Sequence, residues 1–178
     1  MAAEKIHCRI PAVADAEVIA RLHVASWREA YDGIVPSSIL DTVDMEDRIA
    51  RWRGYLAGDG VTFLAEAGGE AVGFIRAGKL LEPLVDGADG HIFALYILRS
   101  HHRRGIGRRL LGLAAGDWLR RGGLALSVGV LTENAPALAF YRGVGASFSK
   151  ADTYRWDGHE LPESIYVFNN LQELAWPA

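Results

Sequence analysis

Leu95-Tyr-Ile-Leu-Arg-Ser-His-His-Arg-Arg-Gly-Ile-Gly-Arg-Arg-Leu-Leu111 is the most informative segment of the chain. The apolar run HIFALYIL (91–98) predicts a buried central strand that stops at a short polar loop. Gly105-Ile106-Gly107 then opens a helix over 107–121, with Leu110, Leu111, Ala114 and Trp118 facing inward. The first N–H groups of a helix have no partner within it and the dipole is positive there, so such a junction favours an anion. Glycines let the chain approach phosphate oxygens without a Cβ in the way. Arg103, Arg104 and Arg108 add charge, and a guanidinium can grip phosphate through two donors. Alone, the segment leaves two readings open, a phosphate site or an ordinary helix start with solvated arginines. It is not a Walker loop, because no G-x-x-x-x-G-K-[ST] occurs. It is not a dinucleotide fingerprint either, because Leu110 stands at the third glycine's place.

Working outward, IHCRI (6–10) predicts a short strand ended by Pro11, with Cys8 as a passive strand residue. A helix follows, with Asp15 and Glu17 at its positive end and Val18, Ile19, Leu22 and Ser26 on one face. Gly33 and Pro36 break it. A second helix carries Met45, Ile49, Trp52 and Leu56 at spacings of four, three and four. VTFLAEA (61–67) and AVGFIRA (71–77) flank Gly68-Gly69-Glu70 as a hairpin. Downstream, Gly122-Gly123 ends the arginine-rich helix and LALSVGVL (124–131) reads as a strand covered on both faces. A helix over 135–143 and strands near 146–155 and 163–168, turning at Asp157-Gly158, complete the chain. The order β, α, α, β, β, β, α, β, α, β, β predicts an α+β domain over residues 1–178 with a mixed sheet.

The segment Glu133-Asn134-Ala-Pro-Ala-Leu-Ala-Phe140-Tyr141-Arg-Gly-Val-Gly145 is the second constellation. Asn134, Ala137, Leu138 and Tyr141 share one helical face. Asn134 also suits an N-cap and Pro136 a first turn, so capping and packing account for these residues as well as ligand contact does.

Together the two segments resemble the signatures of the GNAT superfamily of N-acetyltransferases. Leu95-Tyr96-Ile97 matches its L-Y-V strand, Gly105 and Gly107 its Q/R-x-x-G-x-G/A turn, and Asn134 through Gly145 its N-x-x-A-x-x-F-Y-x-x-x-G helix. His102 departs from the pattern where Gln or Arg is usual, and Arg99 replaces a common proline. The resemblance implies the acyl-CoA N-acyltransferase fold, a mixed, mostly antiparallel sheet of about seven strands flanked by about four helices. It implies acetyl-CoA as cofactor. The pyrophosphate would lie on His102, Arg103, Arg104, Gly105, Ile106, Gly107 and Arg108, and the pantetheine along Leu95, Tyr96 and Ile97 and against Asn134, Ala137 and Phe140. Tyr141 would protonate the departing thiolate, and the Ile97 backbone N–H would stabilise the oxyanion.

Acetyl transfer needs an unprotonated amine. His91 stands where many relatives carry a glutamate, and it reads equally as base or as strand-end histidine. The stretch from Leu22 to Pro36 resembles a subgroup pattern, H-V-x-S-W-x-x-A-Y-x-G-I-V-P. Trp27, Tyr31 and Ile34 would then border the acceptor pocket, unless Trp27 only staples the loop to the core. The expected activity is transfer of acetyl to a primary amine of a small molecule or peptide by direct attack. A non-catalytic acyl-CoA sensor and a protein N-terminal or lysine acetyltransferase are the alternatives.

Composition is that of a globular chain and not of a disordered one. The chain has 178 residues, half of them hydrophobic, and a net charge of −3, which gives no reason to expect nucleic acid. No apolar run reaches the roughly 18–20 residues of a membrane span. The segment MAAEKIHCRI lacks a secretion pattern, and with one cysteine the expectation is a cytoplasmic protein without disulfides. The six histidines are scattered, so no metal site is expected; a homodimer is possible by fold analogy.

Overall fold

The computed structural model describes residues 5–156 and 158–175. Its strands form one sheet in the order β1-β2-β3-β4-β5-β7-β6. They are β1 (Ile6–Arg9), β2 (Val61–Ala67), β3 (Glu70–Gly78), β4 (Gly90–Ile97), β5 (Leu126–Leu131), β6 (Ser147–Trp156) and β7 (His159–Phe168). Every pairing is antiparallel except β4 with β5. The longer helices are α1 (Ala16–Tyr31), α3 (Met45–Ala57), α4 (Ile106–Arg120) and α5 (Ala135–Gly143); α2 (Ser37–Leu40) and α6 (Leu171–Leu174) are single turns. This is the expected α+β architecture.

The sheet separates two apolar layers. On one face Leu110, Leu111, Ala114 and Ala115 of α4 pack with Ile75, Leu126, Val128 and Phe168. On the other, Ile19, Ala20 and Leu22 of α1 meet Trp52 of α3 and Leu64 and Phe74 of the sheet. The four-three-four spacing over Met45 to Leu56 thus serves one buried seam, and Asp44 caps α3 by accepting from the Glu46 and Asp47 amides.

Several expectations need correcting. Val18 is exposed, because the buried stripe of α1 runs through Ile19, Ala20 and Leu22 instead. Asp15 stands at the N-terminal end of α1 as expected, and it also pairs with Arg9 at 2.8 Å. The last strand starts at His159, not 163, and contains Pro162. Pro162 is tolerated because β5 has ended there, so no ladder bond from its nitrogen is required; its carbonyl still accepts from Thr132 at 2.8 Å. Of the expected turn, Asp157 lies outside the described residues, while Gly158 has the left-handed φ of 78°.

β4 is central, but not buried throughout as expected: its second half is only partly covered, and Phe93 is exposed. Two features cause this. Arg76 faces Ala94 while Ala77 faces Ile92, so Phe93 is the extra residue of a β-bulge, which bends the strand. Pairing with β5 covers only Gly90, His91 and Ile92. Beyond Ile92 the two parallel strands part, and the functional site lies in the gap.

Candidate active site

The gap opens a cavity of about 860 Å³ between Ile92–Ile97 of β4 and Val128–Leu131 of β5. Its edges are the end of α1, the loop before α4, and α5. The backbone of β4 is what faces it. The Leu98 amide donates to the Val72 carbonyl at 2.9 Å, so in this antiparallel ladder the groups of Tyr96 and Leu98 point to β3. Those of Leu95 and Ile97 therefore point the other way, into the gap. The Ile97 carbonyl uses this direction to accept from His102 Nε2–H at 2.8 Å. His102 thus uses its Nε2–H within the protein, where it ties the loop to the end of β4.

The loop itself is bent into an anion cradle. Arg103 has φ 62° and Gly105 φ 77°, and Arg103 is the one non-glycine with positive φ among the described residues. Two left-handed residues bracket Arg104, a backbone pattern of the kind that forms anion-binding concavities, and the strain at Arg103 is of a kind concentrated at binding sites. Gly107 sits so close to its neighbours that a Cβ would lie 3.2 Å from the Phe140 ring and 3.4 Å from Ile97. Glu29 clasps the other side of the loop. Its carboxylate accepts the Arg99 amide at 2.7 Å, and its carbonyl accepts the Arg99 guanidinium at 2.6 Å.

Across the gap, Asn134 Oδ1 accepts from the Ala137 amide at 3.2 Å and so caps α5, leaving its amide N–H groups for the cavity. One face later stands Tyr141, 6% exposed. Its hydroxyl has no protein hydrogen bond among the described residues, and burial pushes its pKa up, so the phenol keeps its proton.

At the α1 end, Tyr31 and Ile34 line the cavity, whereas Trp27 does not. Trp27 Nε1–H donates to Tyr96 Oη at 2.9 Å, its ring lies 4.3 Å from that of Trp156, and the Arg48 guanidinium sits 4.7 Å from its ring centroid. Trp27 is therefore packed behind the wall. Tyr96 turns its ring to α1, with its hydroxyl 2.8 Å from that of Tyr31. Its phenol is thus taken up by Trp27 and Tyr31, and its backbone groups by β3.

The family model described as the acetyltransferase (GNAT) family matches residues 21–146. The chain belongs to the GNAT family of acetyltransferases. It is 30% identical over 149 residues to the uncharacterised N-acetyltransferase YuaI of Bacillus subtilis strain 168, covering 84% of each chain. The PaiA N-acetyltransferase of Thermoplasma acidophilum, solved in complex with coenzyme A, superposes with a TM-score of 0.75 at 19% identity, over 90% of this chain and 98% of that one. YncA of Salmonella typhimurium, a putative acetyltransferase solved with acetyl-CoA, gives 0.68 at 18% identity, over 92% and 93%.

As a GNAT chain, it gathers the sequence-expected residues closely. Leu95, Tyr96, Ile97, His102, Arg103, Gly105, Ile106, Gly107 and Arg108 line the cavity, as do Asn134, Ala137, Phe140 and Tyr141. Arg104 and His91 do not. His91 stands at the closed end of β4, its Nδ1 2.9 Å from Ser127 Oγ, and burial lowers its pKa to about 4. This placement agrees with the reading of His91 as a strand-end histidine, and burial makes its ring a weaker proton acceptor. Sequence reading missed the Glu29–Arg99 clasp, the Phe93 bulge and the surroundings of Gly129. Only the last had a signal, a lone glycine inside an apolar strand. Among the described residues no cluster of His, Cys, Asp and Glu could hold a metal, and no helix is long and apolar enough to cross a membrane.

Proposed function

We propose that this protein transfers the acetyl group of acetyl-CoA to a primary amine by direct attack, the acceptor entering beside Tyr31 and Ile34. The observation that carries this reading is the strand edge at Leu95 and Ile97, which has no strand partner. It faces a cavity with an anion cradle at one end and the protonated Tyr141 hydroxyl in its wall. The residues suit the cofactor: the bracketing left-handed residues form a backbone pattern of the kind that takes a pyrophosphate, and bare Gly107 leaves room for it. The two fold relatives described above hold coenzyme A and acetyl-CoA, in support.

Acetyl-CoA supplies an acetyl group activated as a thioester. The Leu95 and Ile97 backbone groups would bind the pantetheine amides as a ladder partner does, with the Ile97 N–H free to donate to the oxygen that gains charge. Tyr141 would hold a proton for the thiolate sulfur. Cys8 takes no part: it lies on β1, three strands from β4, and burial raises its thiol pKa, which disfavours a covalent relay.

Calorimetric titration with acetyl-CoA tests the reading. Saturable binding is expected for the wild type and not for a folded Gly107→Trp variant. In thiol-release assays over an amine panel, Tyr141→Phe should lower kcat roughly 10²- to 10⁴-fold with little change in acetyl-CoA affinity. Absence of binding to the folded wild type overturns the proposal; binding without turnover on any amine would instead favour a CoA sensor.

A further inference from the structure

Beside the cavity lies a carboxylate that the mechanism above does not use. Glu163 of β7 stands opposite Leu131 of β5, and its side chain folds across Gly129. Its Oε1 occupies the place that a Cβ on Gly129 would need, and both Gly129 and Leu131 line the cavity. Glu163 is not itself a lining residue; the missing side chain at Gly129 lets its carboxylate lie against two residues that are. Glu163 is half-buried and forms no hydrogen bond or ion pair among the described residues. Leaving an ionisable group partly desolvated and unpaired is costly, so a partner that arrives from solution is the economical explanation.

The surroundings say what partner fits. Tyr31 on α1 and Tyr154 on β6 both feel the Glu163 charge, and β6 adds Asp152 and Lys150. Lys150 is drawn off by Asp152, at 3.0 Å, and β5 contributes no charged group to this contact. Aromatic surface and an unpaired anion together select a cation, and an ammonium most readily.

We propose that Glu163 receives the ammonium form of the acceptor and takes the proton that must leave before attack. This rests on the acetyltransferase reading and deepens it. The ammonium gives one proton to the carboxylate. The neutral nitrogen then forms the N–C bond as the C–S bond breaks, and the Tyr141 proton goes to sulfur. The nitrogen's second proton restores the phenol, and Glu163 returns its own to water. One proton is released per amide formed, so the account balances.

The acid–base poise agrees with that role. Burial foremost, then Asp152, raises the Glu163 pKa to about 6, against a lesser opposing effect of Lys150. The group is thus ionised at neutral pH yet basic enough to accept a proton.

The test uses the CoA-loaded protein with 2-phenylethylamine, a primary ammonium on an apolar tail, and 2-phenylethanol as its uncharged counterpart. At neutral pH, Glu163→Gln should weaken amine binding about tenfold or more, the loss expected when a charge-assisted contact becomes neutral. Binding of the alcohol and of CoA should not change. In turnover, the wild-type kcat/KM should rise with pH through about 6, whereas the variant should regain rate only where the amine itself is deprotonated. Gly129→Ala, which displaces the carboxylate without removing it, should copy the binding loss. Equal amine binding by wild type and Glu163→Gln, or no amine binding by either, overturns the proposal. Loss of CoA binding by the wild type would instead strike the acetyltransferase reading itself.

Discussion

His23 lies between α1 and α3, where its Nδ1 accepts from the Trp52 indole N–H at 3.2 Å, and Trp52 is 1% exposed. Burial, helped by Arg48, lowers the His23 pKa to about 3. The unfolded chain binds this proton near the ordinary value of about 6.5, so it protonates first on acidification. The stability His23 provides is therefore complete above about 6.5 and is lost progressively as pH falls toward 3. Melting curves across that range should show a declining Tm, and His23→Phe should flatten the decline. The variant should also cost about 1–3 kcal/mol at neutral pH, because the Trp52 N–H is left buried without an acceptor. Glu163 has the opposite sign. Its raised pKa favours the protonated folded form, so stability falls as pH rises through about 6. Glu163→Gln should then raise the Tm at neutral pH by about a degree or two while impairing amine use. Neither residue was legible in this sense from sequence. His23 was visible within a motif and Glu163 not at all, since the burial of each is decided by strands and helices distant in the chain.

At the scale of elements, the loop from Arg99 to Gly107 was the most readable part. Its glycines, its arginines and the apolar runs on either side are all local, and local chemistry survives translation into a fold. The left-handed Arg103 was not readable, because nothing about arginine favours φ 62°. Gly105 and Gly107 make different predictions. A Cβ at Gly105 would meet nothing within 4 Å, so Gly105→Ala carries only the backbone cost of φ 77°, about 1–2 kcal/mol. Acetyl-CoA affinity should fall with it by about tenfold if the cradle relaxes to a right-handed turn. Gly107→Ala instead presses on Phe140 and should disturb α5 as well. Calorimetry and chemical denaturation on the two variants separate these effects. The Phe93 bulge belongs to the unreadable class: HIFALYIL carries no mark that one residue will be skipped by β3, and the bend depends on what β5 does next.

For the whole molecule, the sequence order of elements was nearly complete, and what it lacked was the separation of β4 from β5. Periodicity reports which faces are covered but not where two parallel strands cease to pair. Because Leu95 and Ile97 have no strand partner on that side, ligand should supply one. Hydrogen exchange should slow at the amides facing the gap when acetyl-CoA is added, and the Tm should rise with its concentration. Saturation at a hundred times Kd contributes about 2.7 kcal/mol.

The parted strands also bear on how long the molecule survives. A sheet that is finished only when its reactant is present opens more often when that reactant is scarce, and proteases sample the open form. The chain's persistence would then follow the supply of acetyl-CoA, with starvation trimming the catalyst as well as its feedstock.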